Sequence, residues 1–240
     1  MNKFTQVGLI LTTVSVLLSG CSSVPDQSGL AQDPRDPWQS MNRTVHSFNT
    51  TVDEVFLVPV VNVYQNIAPD PVEKGVSNFF SNLSDVGNLL NHGLQFKPKL
   101  MVRDIGRLVI NTTLGLGGII DVASDLGVYQ EPEDFGQTLG YWGVGSGPYL
   151  VLPFLGPSTV RDTGATIFDA GSNPISQYDP LGHKFVLYGL QLVDHRHQLG
   201  SLEGLISGDP YVFIREAYLQ RREHLINDGA PSNDDDFDDF

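Results

Sequence analysis

Asp-Pro recurs along the chain, at Asp33-Pro34, Asp36-Pro37, Asp70-Pro71, Asp179-Pro180 and Asp209-Pro210, and no other feature limits the fold as much. A capping carboxylate followed by proline at the first helical position starts a helix, because proline lacks the N–H that would be unsatisfied there. Asp70-Pro71-Val72-Glu73 adds an acid where a capping box has one. The same dipeptide also suits turns, so the residues that follow decide. After Asp36-Pro37 come Trp38, Met41, Val45, Phe48, Val52 and Val55, spaced by threes and fours as on one helix face. Val72, Val76, Phe79, Phe80, Leu83, Val86, Leu89 and Leu90 mark a second helix after Asp70-Pro71. Leu100, Met101, Ile105, Leu108 and Val109 mark a third over 97–111. Phe185, Tyr188, Leu192, Leu199, Leu202 and Leu205 predict a helix over 183–206. Val212, Phe213, Ala217 and Leu225 predict a last one over 209–226.

Two segments escape this pattern. Residues 114–120 read LGLGGII, an apolar run rich in glycine that suits close packing or a membrane interface. Residues 138–155 place Gly145-Ser146-Gly147 between two apolar arms, which predicts a hairpin, with Pro148 and Pro153 limiting its pairing. The reading is a mostly α, single domain over 36–227 with one hairpin-like insertion. An acidic disordered tail follows over 228–240, ending DDDFDDF. Charged residues make up 18% of the 240, below the ~25% usual for soluble domains. The net charge of −14 argues against nucleic acid and against simple adhesion to anionic lipid, since both need a basic face.

The N-terminus points to a compartment. Lys3 precedes an apolar run over 7–18, too short for a membrane span of ~20 residues but right for a secretory signal. Leu18-Ser19-Gly20-Cys21 resembles the lipobox of bacterial lipoproteins. That resemblance implies a signal peptide over 1–20, acyl chains on Cys21 and a lipidated tether over 21–35. Ser22, where an aspartate would favour the inner membrane, implies the periplasmic face of the outer membrane. A single cysteine excludes a disulfide framework and a cysteine zinc site.

No catalytic constellation emerges. Ser146 has Val144, not glycine, two residues before it, so a nucleophile elbow is out of frame and a turn is the better reading. Gly115, Gly117 and Gly118 meet Ile120 where a dinucleotide fingerprint needs its last glycine. His195 and His197, two apart on a helix, face different sides and suit a solvated surface better than a metal. The acids over 234–239 lack the glycine and closing glutamate of an EF-hand. No cofactor and no metal is expected. Arg161-Asp162, Lys184 and Arg215-Glu216 lie among apolar segments. They read either as surface ion pairs and caps or as the polar lining of a membrane-embedded body.

The stretch from Glu133-Asp134-Phe135-Gly136 through Thr138-Leu139-Gly140, Trp142-Gly143-Val144-Gly145-Ser146-Gly147-Pro148-Tyr149 and Val160-Arg161-Asp162 resembles the MlaA (VacJ) family of outer-membrane lipoproteins. So do Asp36-Pro37-Trp38 with Met41-Asn42-Arg43, Asn78-Phe79-Phe80-Ser81-Asn82-Leu83, and Asp209-Pro210-Tyr211 with Arg215-Glu216-Ala217-Tyr218. The resemblance spans residues 36–227. It implies a non-enzymatic protein that removes mislocalised phospholipids from the outer leaflet and maintains lipid asymmetry. A soluble periplasmic carrier would receive them and feed an inner-membrane ABC-type complex, and a trimeric porin would be a partner. The implied fold is a membrane-embedded helical ring in the inner leaflet with a polar channel. The hairpin would gate that channel through Gly145 and Gly147, with Arg161, Asp162 and Lys184 near the lumen and Phe48 and Asn49 setting its conformation. Trp38, Phe79 and Phe80 would face lipid or core. A porin-associated structural lipoprotein and a lipid-modifying hydrolase built on Ser146 are the alternatives.

Overall fold

The structure is a computed structural model that describes residues 33–179, 181–200, 204 and 206–229. Every element lies in one unit starting at Pro34. The expectations for the signal peptide, Cys21, most of the tether and residues 230–240 of the tail lie outside the described residues.

Helix α1 (Gln39–Val52) starts after Asp36-Pro37, but Trp38 is its N-cap and no side chain caps it. The chain then passes through a π-helical turn (Asp53–Leu57) into α2 (Val58–Ile67). Pro59 explains the turn. In a regular helix its ring would meet the carbonyl of Val55, and the wider π turn relieves that clash without ending the helix. Helix α3 (Asp70–Leu94) has Pro69 as N-cap, so the capping box expected at Asp70 and Glu73 does not form. Both acids still sit in the first turn, where the helix dipole favours them. A short corner turns α3 back onto α4 (Pro98–Thr113), its most extensive helical neighbour. Residues 114–120 form turns in which Gly118 approaches Asn82 so closely that a Cβ there would lie 2.6 Å from its side chain.

After a short helix α5 (Val122–Asp125) comes α6 (Phe135–Tyr141), started by the Asp134 carboxylate, which accepts from Gln137 N at 2.8 Å. The hairpin expected over 138–155 is therefore corrected. Its first arm is helix, and Gly145-Ser146-Gly147 joins a helix to a strand. The real hairpin pairs β1 (Tyr149–Leu152) with β2 (Gly156–Thr159), antiparallel, in the register Tyr149↔Thr159 to Leu152↔Gly156. Its turn is Pro153, Phe154 and Leu155. Phe154 takes a positive φ of 64° without being glycine, which is why no turn motif betrayed it.

Thr159 caps α7 (Val160–Ser172) through Asp162 N at 3.2 Å. A 3₁₀ turn (Pro174–Gln177) leads to α8 (Leu181–Gly200), which ends before the expected 206; Leu202 and Leu205 fall outside the described residues. Helix α9 (Pro210–Ile226) starts as Asp-Pro predicts, with Asp209 accepting from Tyr211 N at 3.0 Å. Helix α6 packs on α7 and α9, α8 on α2 and α3, and β1 on α1. A small apolar core gathers Tyr149, Val151 and Tyr211, flanked by Val45, Val212, Tyr218 and Leu219. No helix among the described residues is long and apolar enough to cross a membrane.

Candidate functional site

The helices are amphipathic, but much of their burial is inverted. Among the described residues, buried polar and charged side chains outnumber buried apolar ones. On α4, Asp104, Arg107 and Asn111 are buried at helical spacing, while Val102, Ile105 and Val109 face outward, Val102 being 70% exposed. On α3 the buried face carries Asn82, Asp85, Asn88, Asn91 and His92. Buried polar groups persist only when paired, and here they pair across the helices. Arg107 Nε donates to Asp85 at 3.1 Å, and its Nη1 donates to Ser124 at 3.0 Å and to the Val128 carbonyl at 2.5 Å. Asn111 donates to Asp121 at 2.9 Å and accepts from Ala123 N at 2.9 Å. His92 Nδ1 lies 2.6 Å from Asp104, and Thr138 donates to Asn91 at 2.8 Å. Burial pushes the Asp85 carboxyl up, against the pull of Gln130 and Arg107.

A second ionic group joins α6, α7 and α9. Arg222 grips Asp134 with both terminal guanidinium nitrogens, at 2.5 and 2.9 Å, and reaches Asp162 from Nη2 at 3.0 Å. Asp162 also accepts from Arg161 Nε and from Tyr218, both at 2.8 Å. Burial would raise both carboxyls, but hydrogen bonds and charge from Arg222 and Arg161 outweigh it and hold them below the usual range. Space for the group comes from two glycines of α6. A Cβ on Gly136 would lie 2.5 Å from Asp162, and one on Gly140 would lie 3.0 Å from Arg161. Beside the group, Asp169 is pushed up to about 6, mainly by burial and further by Asp134, despite the bond from Phe135 N.

These groups border the segment 143–155. At one end Arg161 donates from Nη1 to the Val144 carbonyl at 3.3 Å and from its backbone N to the Ser146 carbonyl at 3.1 Å. At the other end the Asn49 amide donates to the Leu152 carbonyl and accepts from Phe154 N, both at 2.9 Å, while Phe48 meets Phe154 edge-on at 5.3 Å. A third buried group ties the start of the domain to α9. Asp36 accepts from Asn42 at 2.8 Å, Tyr211 at 2.5 Å and Arg215 at 3.0 Å.

The structure thus brings Arg161 and Asp162 together with Gly145 and Gly147, and sets Phe48 and Asn49 on the far side of the same segment. Gly145 is open around its Cα, whereas Gly147 has a positive φ of 65° beside Val160. Lys184 joins neither group. It belongs to α8, and its Nζ donates to the Ser176 carbonyl at 2.6 Å. Trp38 is exposed, Phe79 is half-buried and Phe80 is buried. His197 bonds Gln65 at 2.7 Å, and His195 is exposed. Sequence reasoning missed Asp85, His92, Asp104, Arg107, Asp134 and Arg222. The polar spacing of 82, 85, 88 and 92 and of 104, 107 and 111 was visible, but periodicity marks a face without saying which way it points.

Fold and site together define a helical domain of inverted polarity, with paired polar groups inside and apolar side chains outside. The MlaA lipoprotein family model matches residues 34–225. The intermembrane phospholipid transport system lipoprotein MlaA of Escherichia coli (strain K12) is 38% identical over 222 residues, covering 90% of this chain and 86% of that protein. Its counterpart in Haemophilus influenzae is 34% identical over 229 residues, covering 92% and 91%. A solved structure, from work on the structural basis for maintenance of bacterial outer membrane lipid asymmetry, superposes with a TM-score of 0.70 at 37% identity, covering 80% of this chain and 99% of that one. The chain belongs to the MlaA lipoprotein family.

Proposed function

We propose that this chain is a lipoprotein of intermembrane phospholipid transport that removes mislocalised phospholipid from the outer leaflet of the outer membrane. The observation that carries this is the inverted burial. A body with valine and isoleucine outward and Asp85, Arg107 and Asp104 inward suits a lipid leaflet outside and a headgroup path within. The headgroup passes along polar groups while the acyl chains stay against apolar surface, and no bond is made or broken. Cys21 carries the acyl anchor on the periplasmic face. A soluble carrier takes the lipid to an ABC-type complex of the inner membrane, and a trimeric porin holds the chain in place. The segment 143–155 is the gate, with Gly145 and Gly147 as its pliant end, Arg161 and Asp162 as one clamp and Asn49 with Phe48 as the other. Lys184 falls outside this gate.

The test is phospholipid exposed on the surface of cells lacking the protein. Exposure rises, and falls again with a wild-type or Ser146→Ala copy but not with Cys21→Ala. An unchanged outer leaflet overturns transport and favours a structural role beside a porin. Failure of Ser146→Ala favours a hydrolase.

A further inference from the structure

The corner between α3 and α4 holds features that the polar interior and the gate leave unused. Phe96, at its tip, is 87% exposed and takes a φ of 56°, a left-handed conformation that a bulky residue adopts only under constraint. Tyr141 and Trp142 are exposed beside it, with the Trp142 indole donating to the Leu94 carbonyl at 3.2 Å and Lys97 Nζ 5.0 Å above the Tyr141 ring. Aromatic tips flanked by lysines are the pattern of a water–lipid boundary, rings toward the chains and ammonium groups at the phosphates.

Next to this tip is a pocket of about 440 Å³ lined by Lys97, Pro98, Lys99, Leu100, Glu131 and Asp228. Its two cations and two anions are arranged unequally. Lys97 is engaged by Asp228 and stands 3.9 Å from Glu133. Lys99 is exposed and has no partner among the described residues. Behind Glu131 stands Arg103, bound to it through Nη1 at 2.8 Å. Its Nε and Nη2 are buried without a partner, although that edge of a guanidinium matches a phosphate or carboxylate in two parallel bonds.

Resting on the transport reading above, we infer that this corner is a binding site for the headgroup of a zwitterionic aminophospholipid. The phosphate meets Lys99 and draws Lys97 from Asp228, the freed Asp228 with Glu131 meets the ammonium group, and the first acyl carbons lie against Phe96, Tyr141 and Trp142. A headgroup carrying both signs replaces each partner of the Lys97–Asp228 pair as it opens that pair. A headgroup with phosphate alone leaves the displaced Asp228 facing its negative charge, while Glu131 keeps Arg103.

The experiment is calorimetric titration of the full-length protein in dodecyl maltoside with dihexanoyl phosphatidylethanolamine, dihexanoyl phosphatidylglycerol, glycerophosphoethanolamine and inorganic phosphate. The ethanolamine lipid binds tightest. Lys99→Glu weakens it by about tenfold, as expected for one lost charge-assisted contact. Phe96→Asn, which suits the left-handed backbone, weakens the lipid several-fold and leaves glycerophosphoethanolamine unchanged. Equal affinity of wild type, Lys99→Glu and Phe96→Asn for the lipid overturns the corner site and leaves transport standing. Inorganic phosphate binding as tightly as the lipid also overturns it. No binding of any phospholipid by the wild type overturns the transport reading itself.

Discussion

The hairpin of α3 and α4 buries Asp85, Asn88, Asn91, His92, Asp104 and Arg107, whereas the corner where β1 meets α9 buries Tyr149, Val151 and Tyr211. The β1–α9 corner follows the rule of soluble proteins, with aromatic area removed from water and the Tyr211 hydroxyl finding Asp36. In the α3–α4 hairpin Phe80 is the buried large apolar side chain and the others are half-buried or exposed, so specific pairing replaces much of the area burial. The α3–α4 region therefore depends on each partner being present, while the β1–α9 corner tolerates the loss of one contact among several.

The largest effect follows from breaking the α3–α4 pairing. Arg107→Met leaves Asp85 buried without its cation, and the loss is about 3–5 kcal/mol, read by thermal unfolding in detergent or by failure to accumulate. Tyr211→Phe, in the aromatic corner, costs about 1–2 kcal/mol, because Asn42 and Arg215 still hold Asp36. Equal losses at the two sites would erase the contrast.

Asp169 sharpens it with an opposite sign. Its carboxyl is raised from 3.8 to about 6 by burial, and further by Asp134, so the unfolded chain gives up this proton more readily than the folded one. Stability from this group is present below pH 4 and falls as pH rises toward 6. Asp169→Asn keeps an acceptor for Phe135 N and gains about 1 kcal/mol at pH 7, discounted because solvent reaches the half-buried carboxylate. The gain vanishes at pH 4, as unfolding curves at the two pH values will show. Asp134 and Asp162, held low, lose stability on acidification instead. The smallest effect is at the surface pair Arg43–Asp209, at 2.7 Å with both side chains about two-fifths exposed. Arg43→Met costs less than about 1 kcal/mol and its effect shrinks with salt.

Helix positions were legible because threes and fours survive in the sequence whichever face is buried. Asp209 began a helix as its dipeptide predicts, but Asp36 did not, because Asn42, Tyr211 and Arg215 claim its carboxylate. Such long-range partners leave no local mark. The hairpin lies later than its glycines predict, because the true turn uses Phe154, held by Asn49 from α1. Arg161 and Asp162 stand out in the sequence as charges among apolar neighbours. Asp134 and Arg222, which complete their group, stand 88 residues apart and meet only because Gly136 and Gly140 leave room.

On the proposed transport function, the apolar faces of α2 and α4 look into lipid. Nitroxides on cysteines placed at Val63, Ile67, Val102, Ile105 and Val109, in protein reconstituted into vesicles, test it directly through collisions with oxygen and with a water-soluble nickel chelate. The account predicts frequent oxygen collisions and few nickel collisions at all five positions, with the reverse at the exposed polar control Arg221. Ready access of nickel to Val102, Ile105 and Val109 would contradict it.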